Sequence, residues 1–344
     1  MRIAVITNSF PPQKGGAASI ASMQVAILRE AGHEVRVWYP RIDWLDKSAP
    51  QRLVAHFFDL FSRSALQQEV IGWNPDLLMT HNMTGCGFGT ASAIQGRGYG
   101  WVHFLHDVQL FEPSGRLVDV SRITFWQKTW SLLRRWTFGK PDLVISPTRW
   151  LADEHKRRGF FYEGAIEILP NPSPTVEFVP RMPQEPMQLM LVGATREKGL
   201  DFAKELLSQL PFEAHLDVVG AGMPGDPRIT YRGALENAEV LELMKRADAL
   251  LVPSTIAENQ PTVILEASAV GLPVVAANVG GVSETLDGAG LLCPEGDMAA
   301  WVDGLVHLRD ASAYAMQASR MYELARNHDP VAYASTFNQL ISNL

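Results

Sequence analysis

The chain has 344 residues, 47% hydrophobic and 19% charged, which suits two ordinary globular cores and excludes a disordered or fibrous protein. A formal net charge of -7 argues against a general nucleic-acid binder. The two cysteines, Cys86 and Cys293, are far apart and lack metal-ligand spacing, as expected of reduced, packed thiols in a cytoplasmic protein.

The start, MRIAVITNSFPPQKGG, has an apolar run too short for a signal-peptide core before Asn8 and Pro11-Pro12, and it reads as a buried strand. No run approaches the ~18 apolar residues that span a bilayer, so a soluble chain is expected. Strand RIAVIT leads to a helix from about Ala18 to Ala31, strand HEVRVWY to a helix near Arg52 to Val70, and strand DLLMT to a helical stretch from Gly87 to Gln95. Strand GWVHFLH, a helix near Ile123 to Phe138 and strand DLVIS follow. The runs Ile3–Ile6, Leu77–Met79 and Leu143–Ile145 are continuously apolar, as central parallel strands covered on both faces should be. Alternation of this kind predicts a doubly wound α/β sheet.

Between Leu169 and Pro186 the stretch LPNPSPTVEFVPRMPQEP carries six prolines, too many for a helix or an interior strand. The pattern then restarts with QLMLVG, a helix from about Gly199 to Gln209, AHLDVVG, ITYRG, a helix from Asn237 to Arg246, ALLVP, a helix around Glu266, PVVA and GLLC. From Met298 to Leu344 the pattern is helical, with a break at Asp329-Pro330. The expected organisation is a Rossmann-like domain over 1–168, a linker over 169–186, a second Rossmann-like domain over 187–328 and a C-terminal helix over 329–344 that can return to the first domain. Two such sheets are expected to face a cleft, with ligands beyond the carboxyl ends of the strands.

Four loops after strands could hold chemistry. Gly15 and Gly16 precede a helix, where glycines let backbone N–H groups approach an anion, although such a pair also serves as a plain turn. His106, with Asp107 beside it, falls where the fourth strand meets its loop; it reads either as structural or as a cleft-rim functional group. His103, on the same strand, is given no role. Arg196 and Lys198 sit at a helix start, where the macrodipole disfavours cations, so paired binding of a diphosphate competes with a solvated surface pair.

The stretch PSTIAENQPTVILEASAVG places Glu258 and Glu266 with seven residues between them. Pro261 suits the first position of a helix, which leaves the N–H groups of Thr262 and Val263 free for a phosphate. Glu266 falls on nearly the same helix face as Thr262, about 6 Å further along. That is close to the separation of a diphosphate from its own ribose, whose hydroxyls would satisfy a carboxylate in an apolar run.

At this point PSTIAENQPTVILEASAVGLPVVAANVGGVSE resembles the donor signature of retaining GT-B glycosyltransferases of family 4, also called glycosyltransferases group 1. FPPQKGG, LHDVQLFEP and ITYRGALENAEVLELMKRADALLVPS are similar to further elements of that family, in the same order. The resemblance implies a GT-B fold with an N-terminal acceptor domain and a C-terminal donor domain. The activity it implies is transfer of a hexose-type sugar from a UDP- or GDP-sugar to a glycan, lipid or small-molecule acceptor, as in cell-envelope polysaccharide biosynthesis.

It further implies catalytic roles for Glu258, near the transferred sugar, and His106. Donor contacts are implied for Gly15, Gly16, Arg196, Lys198, Asn259, Gln260, Pro261, Thr262 and Glu266. No cofactor and no metal are implied, and the chain has no Asp-x-Asp. Two departures stand out. GATREKG is one residue shorter than the family's usual loop, which bears on Arg196, and ENQP replaces the usual EGFG, so Asn259 and Gln260 could set sugar preference.

Two alternatives stay open: a nucleotide-sugar epimerase on the same scaffold, and a non-catalytic nucleotide- or glycan-binding homologue. Thr124 to Lys140, TFWQKTWSLLRRWTFGK, is rich in aromatic and basic residues. It reads either as a helix lying on an anionic bilayer, at the inner face of the membrane, or as one whose apolar face covers the N-terminal sheet.

Overall fold

Each half of the chain lays its short apolar runs into one all-parallel sheet. The computed structural model describes residues 1–11, 15–40, 51, 54, 57, 59, 65–162, 165–178, 180–223 and 225–344. Met1–Pro170 together with Val331–Leu344 forms one unit, and Asn171–Pro330 the other.

The first unit runs β1 (Arg2–Ile6), α1 (Gly16–Glu30), β2 (Glu34–Trp38), α2 (Ala65–Trp73), β3 (Leu77–Thr80) and α3 (Gly89–Gln95). It continues with β4 (Gly100–Phe104), α4 (Phe125–Phe138), β5 (Leu143–Ser146), α5 (Arg149–Arg157) and β6 (Ala165–Ile168). Much of the helix expected near Arg52 to Val70 lies outside the described residues. The strand order is β2-β1-β3-β4-β5-β6. β3 and β5 are buried along their whole length, as continuously apolar runs between two helical layers should be. β6 is an edge strand not anticipated from the sequence; Ala165 and Glu167 are exposed, which leaves no continuous apolar run to read.

In the second unit the order is β7 (Met187–Val192), α6 (Leu200–Gln209), β8 (Ala214–Val219), β9 (Ile229–Tyr231), α7 (Asn237–Met244) and β10 (Ala249–Val252). Then come α8 (Thr262–Ala269), β11 (Val274–Ala277), α9 (Val282–Leu286), β12 (Leu291–Cys293), α10 (Met298–His307) and α11 (Ala311–Asn327). Its sheet is ordered β12-β11-β10-β7-β8-β9, again parallel throughout. The chain reverses its direction of winding between β7 and β10, so the loops after these strands part and leave a crevice at their carboxyl ends. In the first sheet the equivalent point lies between β1 and β3.

Two connections differ in detail from a simple linker and tail. The Pro-rich stretch lies along the second unit from Asn171 onward. The Asn171 N–H donates to Gln260 Oε1 (2.8 Å), Ser173 Oγ meets Ser268 Oγ (3.1 Å), and Phe178 stacks on Tyr322 with centroids 4.7 Å apart. The last helix, α12 (Pro330–Ser342), belongs to the first unit over most of its length. Its Tyr333, Phe337 and Ile341 are buried with Ile3, Val5, Val102 and Phe104, and Gln24 Nε2 donates to Tyr333 Oη (2.7 Å). No helix among the described residues is long and apolar enough to cross a membrane. Cys86 and Cys293 are free and buried.

Candidate active site

In the second unit the crevice between β7 and β10 is built by two loops that hold each other. The Thr255 N–H donates to the Glu197 carbonyl (2.9 Å), tying the loop after β10 to the loop after β7. Lys198 Nζ then reaches Glu258 Oε1 at 2.5 Å, and Ser254 Oγ donates to the same oxygen at 2.6 Å. The Glu258 carbonyl accepts from the Gly281 N–H (2.8 Å), which brings in a third loop, the one after β11. Gly280, at φ 61°, makes that approach possible: a Cβ there would collide with the Glu258 carbonyl, and L side chains disfavour this conformation. Ser254, which is buried and contacts Glu258 directly, escaped sequence reasoning.

Arg196 lies in the same turn as Lys198 but is exposed, and it makes no side-chain hydrogen bond or ion pair with the described residues. Pro261 differs from expectation by one position. Its ψ of 114° is extended, so it caps α8 and the helix begins at Thr262. The Pro261 carbonyl accepts from the Ile264 N–H (3.0 Å), while Thr262 and Val263 occupy the first two helical positions, whose N–H groups lack intrahelical acceptors. Glu266, four residues on, is buried, and burial raises its carboxyl above the ordinary range while a hydrogen bond with Asn237 opposes the rise. Gln260 is buried and its side-chain oxygen is taken by the Asn171 N–H; Asn259 beside it is half-buried.

In the first unit His106 and Asp107 follow β4, and His81 and Asn82 follow β3, so pairing of the adjacent strands sets the four side by side. His81 Nδ1 lies 2.8 Å from His106 Nε2, and Asn82 Nδ2 donates to Asp107 Oδ2 (2.8 Å). The other Asp107 oxygen accepts from the Gln109 N–H (2.8 Å). Burial lowers the His106 pKa to about 4 and that of His81 well below its ordinary value, so both rings are neutral near pH 7. Burial raises Asp107 to about 6 against the pull of its two donors. His103 is turned into the core, with Nδ1 2.8 Å from Thr80 Oγ1. Gly15, at φ 139°, caps α1, which begins at Gly16. His81 and Asn82 escaped sequence reasoning; the available signal was their position one and two residues past an expected strand.

Both halves of the sequence match known families. The model described as Glycosyltransferase Family 4 matches residues 14–175, and the model described as Glycosyl transferases group 1 matches residues 186–310. The chain belongs to these glycosyltransferase families. Among curated relatives of this group 1 chain is the sulfoquinovosyl transferase SQD2 of Arabidopsis thaliana, 25% identical over 194 residues. That match takes in 49% of this chain and 37% of SQD2, well under half of the relative's length. Sucrose-phosphate synthase from Thermosynechococcus elongatus has the same fold, with a TM-score of 0.77 at 18% identity over 99% of this chain and 98% of that one. Anabaena HepE, solved in complex with UDP, gives a TM-score of 0.72 at 18% identity over 100% of both chains. The fold of the chain is therefore GT-B.

Proposed function

We propose that the chain transfers a hexose-type sugar from a UDP- or GDP-sugar to a glycan, lipid or small-molecule acceptor, with retention of anomeric configuration and without a metal ion. The observation that carries this reading is the meeting of Lys198, Ser254 and Glu258 at the winding reversal of the second sheet, one loop ahead of Glu266. A cytoplasmic setting in cell-envelope polysaccharide synthesis is part of the proposal, and two free, buried thiols suit a reducing compartment.

In this reading Glu266 accepts the ribose hydroxyls, which would replace water around a carboxylate that burial disfavours as an anion. The diphosphate is met by the first N–H groups of α8, by Lys198 and by Arg196, which the described residues leave unpaired. The bond from the anomeric carbon to the diphosphate oxygen breaks, and the electron pair leaves with the diphosphate. The acceptor hydroxyl forms its bond on the same face, and the departing phosphate takes the hydroxyl proton. Positive charge that develops on the sugar lies near Glu258, whose carboxylate Lys198 and Ser254 hold in place. Neutral His106, paired with His81, offers a hydrogen bond to a sugar hydroxyl without adding a competing cation. Gly15 and Gly16 allow close approach of backbone N–H groups to the phosphates.

The test is nucleotide release. Purified chain incubated with UDP- and GDP-sugars should liberate nucleoside diphosphate only when acceptor is added, with turnover unchanged by EDTA and with an α-linked product from an α-linked donor. Conversion of the nucleotide sugar without nucleotide release would point to an epimerase instead. Failure of UDP and GDP to raise the melting temperature would sink the donor site itself, because a ligand at a hundred times its Kd adds about 2.7 kcal/mol of stability.

A further inference from the structure

α4 is apolar on two sides rather than one. Residues 125, 132 and 136 are spaced by seven and four, so they share one side of the helix. These are Phe125, Leu132 and Trp136, and they are 84%, 60% and 77% exposed. Lys128 and Arg135 flank the same side and are also exposed. The opposite side, turned into the unit, buries Trp130 and Phe138 and, with them, Gln127, Ser131 and Arg134, the last at 0% exposure. The Arg134 guanidinium lies over the Phe88 ring, 3.3 Å from its centroid, and its N–H groups find no hydrogen-bond acceptor among the described residues. Water on the outside gives no physical reason for a leucine, a phenylalanine and a tryptophan to face outward while an arginine is buried beneath them.

The charge around this face is equally one-sided. Residues 120–141 contain no aspartate or glutamate and, besides the buried Arg134, hold the exposed Arg122, Lys128, Arg135 and Lys140, in a chain whose net charge is -7. The apolar stripe is about 16 Å long at 1.5 Å per residue. Three such side chains supply about 500 Å² of contact, short of the roughly 800 Å² per partner that a stable protein interface needs. A bilayer asks for less contiguous area. Aromatic rings settle at the headgroup boundary, and lysine and arginine beside them are drawn to anionic lipid.

We infer that the outward face of α4 docks on an anionic lipid bilayer, with the helix axis along the surface, Phe125, Leu132 and Trp136 entering the interface, and Lys128 and Arg135 meeting lipid phosphates. The inference rests on this face alone and is independent of the transfer reaction proposed above, so either can fail without the other.

Vesicle co-sedimentation of the full chain tests it, using phosphatidylcholine with and without phosphatidylglycerol. The wild type should bind the mixed vesicles and release as salt is raised, and it should leave phosphatidylcholine alone. The double variant Leu132→Ser/Trp136→Ser should lose at least about tenfold in affinity. Lys128→Glu should lose more than about fivefold. Both variants change exposed side chains and should keep the wild-type melting temperature, which separates lost docking from lost folding. Three results overturn the inference: no binding by the wild type, equal binding to both vesicles, or wild-type affinity in the double variant. A dimer in sedimentation equilibrium that Leu132→Ser/Trp136→Ser dissolves would also overturn it, by making a second copy the occupant.

Discussion

At the scale of single residues, the second unit separates two glutamates by environment. Glu258 is tied to Lys198 and Ser254 in a loop, whereas Glu266 is buried in a helix beside Asn237. Under the proposed reaction, Glu258→Ala should cut kcat by about a hundredfold or more, the scale of a lost transition-state contact, with donor affinity nearly kept. Glu266→Ala should instead raise the donor KM strongly and leave kcat closer to wild type. Steady-state kinetics with the donor varied checks this, and equal losses in both parameters for both variants would refute the division. Gln260 has a different fate. Its side-chain oxygen is engaged by the Asn171 N–H, so Gln260→Ala should destabilise the chain by about 1–3 kcal/mol through a stranded donor. Urea unfolding reads this out; an unchanged midpoint with altered sugar preference would return Gln260 to the substrate-contact role its place in ENQP suggested. The Glu258–Glu266 spacing was legible because helical periodicity is local. The partners of Gln260, and the meeting of His81 with His106, were not, because they depend on which strand lies next to which.

At the scale of elements, the central strands were the most legible parts. Ile3–Ile6, Leu77–Met79 and Leu143–Ile145 carry an unbroken apolar signal because both faces are covered. Edge strand β6 and the short helices α5 and α9 carry no comparable signal and went unread. α4 was legible as a helix but not in its orientation, since Arg134 and Arg135 are adjacent and only packing decides which is buried. α12 makes a stronger claim. Phe337 is wholly buried, stacks near Tyr333 with centroids 6.0 Å apart and meets Phe104 at 5.8 Å. Phe337→Ala should cost about 3–5 kcal/mol. Hydrogen exchange should show the loss in β1, β3 and β4 as well as in α12; protection unchanged in those strands would mean that the helix contributes little to that core.

At the scale of the whole molecule, burial drives five histidines of the first unit toward the neutral form: His33, His81, His103, His106 and His155, the last two to about 4. Their folded-state pKa values lie below the unfolded value of about 6.5, so the unfolded chain binds more protons as pH falls through 6.5 toward 4. Stability is therefore lost in that window. Asp107, raised to about 6, acts the other way by taking up a proton in the folded state, and Asp59, Asp248 and Glu266, also raised by burial, add to that opposition. These carboxyls offset part of the effect of the histidines. Unfolding free energy should drop between pH 6.5 and pH 4.5, by up to ~1.4 kcal/mol per pH unit for each uncompensated histidine. Urea titrations at several pH values check this, with a flat profile as the contrary result.

The placement of α12 also bears on the order in which the molecule is made. Gln24 and Tyr333 are hydrogen-bonded across 309 positions of the chain, and Phe337 and Ile341 belong to the core begun by Ile3 and Val5. A ribosome working at about 5–20 residues per second releases the whole second unit before it delivers these side chains. The half of the protein that is synthesised first is thus the half that is finished last. Until residue 341 emerges, the apolar side chains that await α12 form an open seat for chaperones.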